Sequence, residues 1–141
     1  MLSLTEIFTI LIMHFVADFI FQDERWALGK SKNWKSLLSH TVTYSAMWYL
    51  ILVFFSVWGN HFNGPTMSEL NWSKYMLLFP IITFVAHTIT DYFTSRIVSK
   101  NFANKHYGSA IPNFGAFTII GIDQTLHFIQ LFLTYYYLKT K

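Results

Sequence analysis

The chain has no cysteine, which excludes disulfides, thiolate metal sites and a cysteine nucleophile. Charge is scarce as well: 12% of the 141 residues are Asp, Glu, Lys or Arg, about half the share of a soluble globular domain. No G-x-S-x-G element offers a serine nucleophile, and Ser36 and Ser39 near His40 form no motif of their own. No G-x-x-x-G marks a helix-pairing face. No basic patch interleaved with aromatics is large enough for RNA or DNA, so the net charge of +3 reads as topology and headgroup contact rather than nucleic-acid binding. What remains is apolar: 53% hydrophobic and 20% aromatic residues.

A hydrocarbon core of ~30 Å takes ~20 helical residues per crossing, so this length accommodates about four spans and little else. The apolar runs predict them at about Leu4–Phe21, Leu37–Trp58, Tyr75–Val98 and Phe114–Leu138. Ser3 with Glu6 three residues on is a capping-box start for the first. Pro80 falls in the first two turns of the third, where a helix tolerates it best. The first span has no Lys/Arg-rich leader and no small-residue cleavage site after it, which argues against a signal peptide. Gly64-Pro65 and Ile111-Pro112-Asn113 mark turns in the connectors. The expected fold class is all-α: one membrane domain, a four-transmembrane-helix bundle.

Basic residues set the orientation. Connector 22–36 carries Arg25, Lys30, Lys32 and Lys35, and connector 99–113 is flanked or occupied by Arg96, Lys100 and Lys105; Lys74, Lys139 and Lys141 lie on the other side, seven against three. The bias places both connectors in the cytoplasm and both termini outside. Trp26, Trp34, Trp58 and Trp72 fall near span ends, as an aromatic belt requires, and Tyr135 to Tyr137 read as an interface anchor.

Against this background stand His14 with Asp18, His40 alone, His87 with Asp91, and Asp123 with His127. The spacing of four puts each pair on one helix face. An Asp in lipid costs roughly 2.5–3.5 kcal/mol on insertion scales, so three of them need partners. On alternating helices all seven groups fall in one half of the bilayer, toward the cytoplasmic side, so they can meet. Inward stripes also carry Gln22, Ser36, Thr43, Thr83, Thr94 or Ser95, Gln124, Gln130 and Thr134, with Phe, Leu and Ile turned to lipid. Imidazoles and carboxylates converging in a bundle are most simply ligands for a hard or borderline cation. A self-satisfied polar packing network and a proton or ion relay are the alternatives. His61, His106 and the Asp23-Glu24 pair are expected in solvated connectors. His14-x-x-x-Asp18 followed by Phe19 and His87-x-x-x-Asp91 followed by Tyr92 form a faint internal repeat, each with an arginine after it.

Taken together, His14-x-x-x-Asp18-Phe19-x-x-Gln22, the lone His40, His87-x-x-x-Asp91 and Asp123-Gln124-x-x-His127 resemble the domain of unknown function 3307 family, small polytopic membrane proteins of bacteria and their phages. The resemblance covers nearly the whole chain. It implies an integral protein of the bacterial cytoplasmic (inner) membrane, bacterial or phage-encoded, with four or so helices. A looser similarity, in helix-borne His and Asp, is to inner-membrane proteins described as metal-dependent hydrolases.

The leading functional expectation is a membrane-bound, metal-dependent hydrolase. His14, Asp18, His40, His87, Asp91, Asp123 and His127 would hold one or two divalent ions, zinc first, with manganese, iron or magnesium as alternatives. Asp18 or Asp123 would act as general base, and Gln22, Thr94 and Gln124 would orient the ligands. Arg25 and Arg96 would grip a phosphate on a lipid-like ester or phosphoester entering from the cytoplasmic leaflet. The competing expectations are a proton or divalent-cation transporter or channel, and a non-catalytic module stapled by a structural metal. Membrane lipids are the expected surroundings, nucleic acid is not an expected partner, and a homo-oligomer is consistent with the aromatic lipid faces.

Overall fold

A computed structural model describes residues 2–58, 72–104 and 114–140. The two turn signals, His61, His106 and Lys105 lie outside the described residues.

The chain is all-α, and the helix order is α1 (Leu4–Phe15), a π turn (Val16–Ile20), α2 (Glu24–Gly29), α3 (Trp34–Trp58), α4 (Trp72–Asn104) and α5 (Phe114–Thr140). Ser3 caps α1 as expected: its Oγ accepts from the Glu6 amide at 3.2 Å, and its own amide donates to Glu6 Oε2 at 2.7 Å. Asp23 caps α2, accepting from the Arg25 amide at 2.8 Å, and Asn33 opens α3 by accepting from the Ser36 amide at 2.8 Å. These short polar side chains take up amides that would otherwise lack partners at a helix start.

Three helices are long and apolar enough to cross a membrane: Trp34–Phe54, Lys74–Asn101 and Gly115–Thr140. The first expected span takes a different form, 12 residues of α-helix followed by 5 of π-helix. At 1.5 Å per residue it is roughly 25 Å long, short of a ~30 Å core. The third expected span is longer than its apolar run, so Pro80 sits inside α4 rather than in its opening turns. Losing one amide donor there does not stop a helix whose other backbone groups bond within it.

Each long helix is patterned inside out. On α4 the buried set is Tyr75, Phe79, Thr83, His87, Asp91, Thr94 and Asn101, while Leu77, Ile81, Val85, Ile89 and Phe93 are exposed. On α3 the inner face is Leu37, His40, Thr41, Tyr44, Ser45, Trp48 and Leu52. Thr41, and not the expected Thr43, is therefore the threonine facing inward. α4 packs against both α3 and α5, α1 lies on α5, the π turn on α3, and α2 on α3.

Lipid is as apolar as leucine, so close packing and interhelical hydrogen bonds must hold such helices together, at about 0.6 kcal/mol per bond. The bonds are laid out in layers. At one end Tyr135 and Lys139 donate to Glu6 Oε1 at 2.7 and 2.6 Å, and Tyr75 donates to the Tyr135 carbonyl at 2.8 Å. Tyr135 is thus buried and bonded, while Tyr136 and Tyr137 are exposed as an interface anchor would be. Next comes an apolar layer of Ile10, Trp48, Phe79 and Leu131. Beyond it the core turns polar.

Candidate metal centre

His14, Asp18, His40, His87, Asp91, Asp123 and His127 are all buried and lie in one cluster. α1, the π turn, α3, α4 and α5 supply them. The π turn closes with the Phe21 amide bonded to the Val16 carbonyl at 3.1 Å, and this wider turn aims Asp18 at α3. Single π turns inside α-helices recur at functional sites.

At the centre His40 Nε2 lies 3.0 Å from His87 Nε2. It is also 3.2 Å from Asp18 Oδ1 and 3.0 Å from Asp91 Oδ2. His87 Nε2 is 3.6 Å from the same Asp18 oxygen and 3.5 Å from the same Asp91 oxygen. Four ligand atoms bonded at ~2.0–2.2 Å to a tetrahedral ion stand roughly 3.3–3.6 Å apart, which is close to this spacing. Two imidazole nitrogens facing each other repel unless a proton or cation lies between them. Asp18 Oδ1, Asp91 Oδ1 and His127 Nε2 are buried with no hydrogen-bond partner, a costly state for polar atoms that a cation would relieve. Two overlapping triads meet the spacing needed by an ion, Asp18–His40–His87 and His87–Asp91–His127. The nitrogen and carboxylate donors suit zinc, manganese or iron.

His14 is placed differently. Its Nδ1 is 2.7 Å from the Tyr44 hydroxyl and its Nε2 is 2.8 Å from Gln124 Oε1. Gln124 Nε2 donates to Asp18 Oδ2 and to Asp123 Oδ2, each at 3.1 Å. The amide orientation fixes the tautomer: Tyr44 donates to Nδ1, and His14 donates from Nε2 to Gln124. Both ring nitrogens are engaged, so His14 orients Asp18 and Asp123 through Gln124 and stands behind the inner set. Asp123 also accepts from Thr94 Oγ1 and lies 3.4 Å from His127 Nε2. His87 is clamped by stacking, with ring centroids 3.9 Å from Tyr44 and 4.0 Å from His127.

The cluster opens on the side of connector 22–36 into a cavity of about 460 Å³. Asp18, Gln22, Thr94, Asp123 and Gln124 line its inner wall, and Phe19, Leu28, Val98 and Ile120 supply apolar surface.

The chain belongs to the DUF3307 family. The match, to a protein of unknown function, covers residues 7–141. No curated protein and no solved structure matches the chain.

Arg25 and Arg96 are not among the cavity-lining residues. Arg25 pairs with Asp23 at 2.9 Å and its side chain is 85% exposed; that hydrogen bond holds the Asp23 carboxyl at about 2. Arg96 donates to the Tyr92 carbonyl at 2.7 Å and lies over the Tyr92 ring at 3.7 Å. Among the described residues the cation that reaches the cluster is Lys30, whose Nζ donates to Asp91 Oδ2 at 2.9 Å. Burial opposes its charge, but Asp91 and Asp18 outweigh that penalty and raise its pKa above the ordinary lysine value. In sequence Lys30 reads as one more basic connector residue. The signal that finds it is charge balance: three buried carboxylates leave a deficit that a nearby lysine can reach.

Proposed function

We propose that this DUF3307 protein is an integral-membrane, metal-dependent hydrolase acting on an amphiphilic ester or lipid-linked phosphoester. The observation that carries the reading is that Asp18 and Asp123 belong both to the His/Asp cluster and to the wall of a partly apolar cavity. A staple would need no such opening. A relay would need a continuous polar path onward, whereas the next layer is largely apolar, Ile10, Trp48, Phe79 and Leu131, beside the bonds of Gln130 to Thr83 and Thr134.

Asp18, His40, His87 and Asp91 would hold the ion, zinc first in expectation, with His127 beside them. A divalent ion held there supplies Lewis-acid activation of water, lowering its pKa toward ~7. Asp123, outside both triads and on the cavity wall, takes the proton released as water attacks the ester carbon or phosphorus, and returns it to the leaving oxygen. Thr94 and Gln124 hold that carboxylate in place. The apolar cavity wall receives the lipid-like portion of the substrate.

The reading places α1 with its π turn as the fourth wall of a bundle in a bacterial inner membrane, connectors 22–36 and 99–113 cytoplasmic and both termini outside. With Lys30 turned into the cluster, the basic bias becomes six against three, of the same sign. Elemental analysis of detergent-purified protein before any chelator tests the centre: the wild type carries a stoichiometric transition metal and His87→Ala carries none. Asp123→Asn should keep the metal and the fold while hydrolysis of lipid phosphoesters falls about a hundredfold or more, the usual scale for losing a general base. Wild type without metal removes the enzyme reading.

A further inference from the structure

We propose that the cluster takes one divalent ion and that Lys30 is its built-in second cation, contacting the anionic oxygens of the substrate. This rests on the hydrolase reading above and narrows it from one or two ions to one.

The ligand chemistry argues for a single ion. The two candidate triads share His87, and the same nitrogen, Nε2, faces both Asp18 and Asp91. An imidazole nitrogen has one lone pair, so filling one triad removes His87 from the other. His87 Nδ1 is buried against its stacked neighbours without a polar partner, and faces neither carboxylate in these contacts.

Charge points the same way. Asp18, Asp91 and Asp123 bring three negative charges, and Lys30 returns one. With the imidazoles counted as neutral, one divalent ion balances these charges, and two would leave an excess of two positive charges in a medium that stabilises net charge poorly. Lys30 donates to Asp91 Oδ2, the same oxygen that faces His40 and His87. That one oxygen would therefore be shared between the ammonium and an ion held by His40 and His87. Lys30 also lines the cavity, so its ammonium, which has three donors, faces an entering oxyanion while still holding Asp91.

The lysine is built in rather than adventitious. Its amide bonds the Trp26 carbonyl at 2.8 Å, and the turn after it is closed by the Lys32 and Asn33 amides on the Gly29 carbonyl at 2.9 and 3.1 Å. Its side chain is 19% exposed.

The test loads the purified full-length protein with Mn²⁺ and counts ions by elemental analysis and electron paramagnetic resonance. One equivalent with the spectrum of isolated Mn²⁺ is expected. Two equivalents with an exchange-coupled spectrum overturn the single-ion assignment and leave the hydrolase reading standing; no uptake overturns both. Inorganic phosphate is then titrated onto the Mn²⁺-loaded protein and followed by ³¹P line broadening. Lys30→Met should weaken phosphate binding about tenfold or more, the scale of a lost charge-assisted hydrogen bond, while Lys30→Arg, which keeps the charge, restores most of it. Equal phosphate affinity in wild type and Lys30→Met overturns the role of Lys30.

Discussion

Gly29→Ala is the sharpest test of how the cluster gets its lysine. A Cβ on Gly29 would stand 2.4 Å from Ser36 Oγ and 2.8 Å from Ser36 Cβ, both inside van der Waals contact. α2 would have to move off α3 by about an ångström, since carbon atoms prefer about 3.5–4.0 Å. Overpacking of this kind costs about 1–3 kcal/mol, and the better helix propensity of alanine returns up to about 1 kcal/mol. The net expectation is a loss of about 0–3 kcal/mol, with Lys30, the next residue, displaced from Asp91. Ser36→Gly removes both clashing atoms, so the double variant should recover the steric part, a coupling of about 1 kcal/mol or more. Thermal or denaturant unfolding in detergent gives the stabilities, and Mn²⁺ and phosphate titrations give the site. If Gly29→Ala is more stable than wild type and shows no coupling to Ser36→Gly, the close approach of α2 to α3 is wrong and Lys30 is not held as argued.

Other expectations concern separate parts of the molecule. Gln124→Leu removes the bridge between His14 and the Asp18 and Asp123 carboxylates, so metal affinity should fall about 10–100-fold by equilibrium competition, the scale for outer partners of metal ligands; an unchanged affinity would refute its orienting role. Glu6→Gln weakens the bonds from Tyr135 and Lys139 and should lower stability by about 1–2 kcal/mol while leaving metal content alone; loss of metal would show that the two ends are coupled. Removing the ion from wild type with a chelator should lower the unfolding temperature, and re-addition should restore it, because binding to the folded state alone stabilises it.

Much of this is legible in the chain itself. The inside-out pattern of α3, α4 and α5 follows from apolar runs interrupted at helical spacing, and the seven His and Asp residues stand out because lipid penalises them. Ser3 and Glu6 announce their own cap. Local pattern carries no information about the turn that follows Phe15, so the π geometry and the shortened first helix were hidden. It also cannot tell which of seven similar groups faces inward: His14 looks like His87 in sequence, yet Tyr44 and Gln124 occupy both of its nitrogens. Lys30 was concealed by its position in a polar connector, because whether a basic residue faces water or folds back depends on Gly29 letting α2 approach α3. Arg25 and Arg96 carry the right charge for a phosphate, but Asp23 and the Tyr92 ring hold them elsewhere.

The wide turn at Val16–Ile20 acts as a phase adjuster. Each α-helical residue advances the chain by about 100° around its axis, so one residue more or fewer rotates everything on one side of the turn relative to the other. α1 must present Ile10 and His14 to the bundle, and Asp18 must reach α3 one turn later. The turn closes one residue later than an α turn, Phe21 on Val16, so it absorbs a residue that a continuous α-helix of the same sequence would carry round the axis, changing the direction in which Asp18 points. The extra residue is thus a timing element: it lets one short helix serve the packed core and the His/Asp cluster at once.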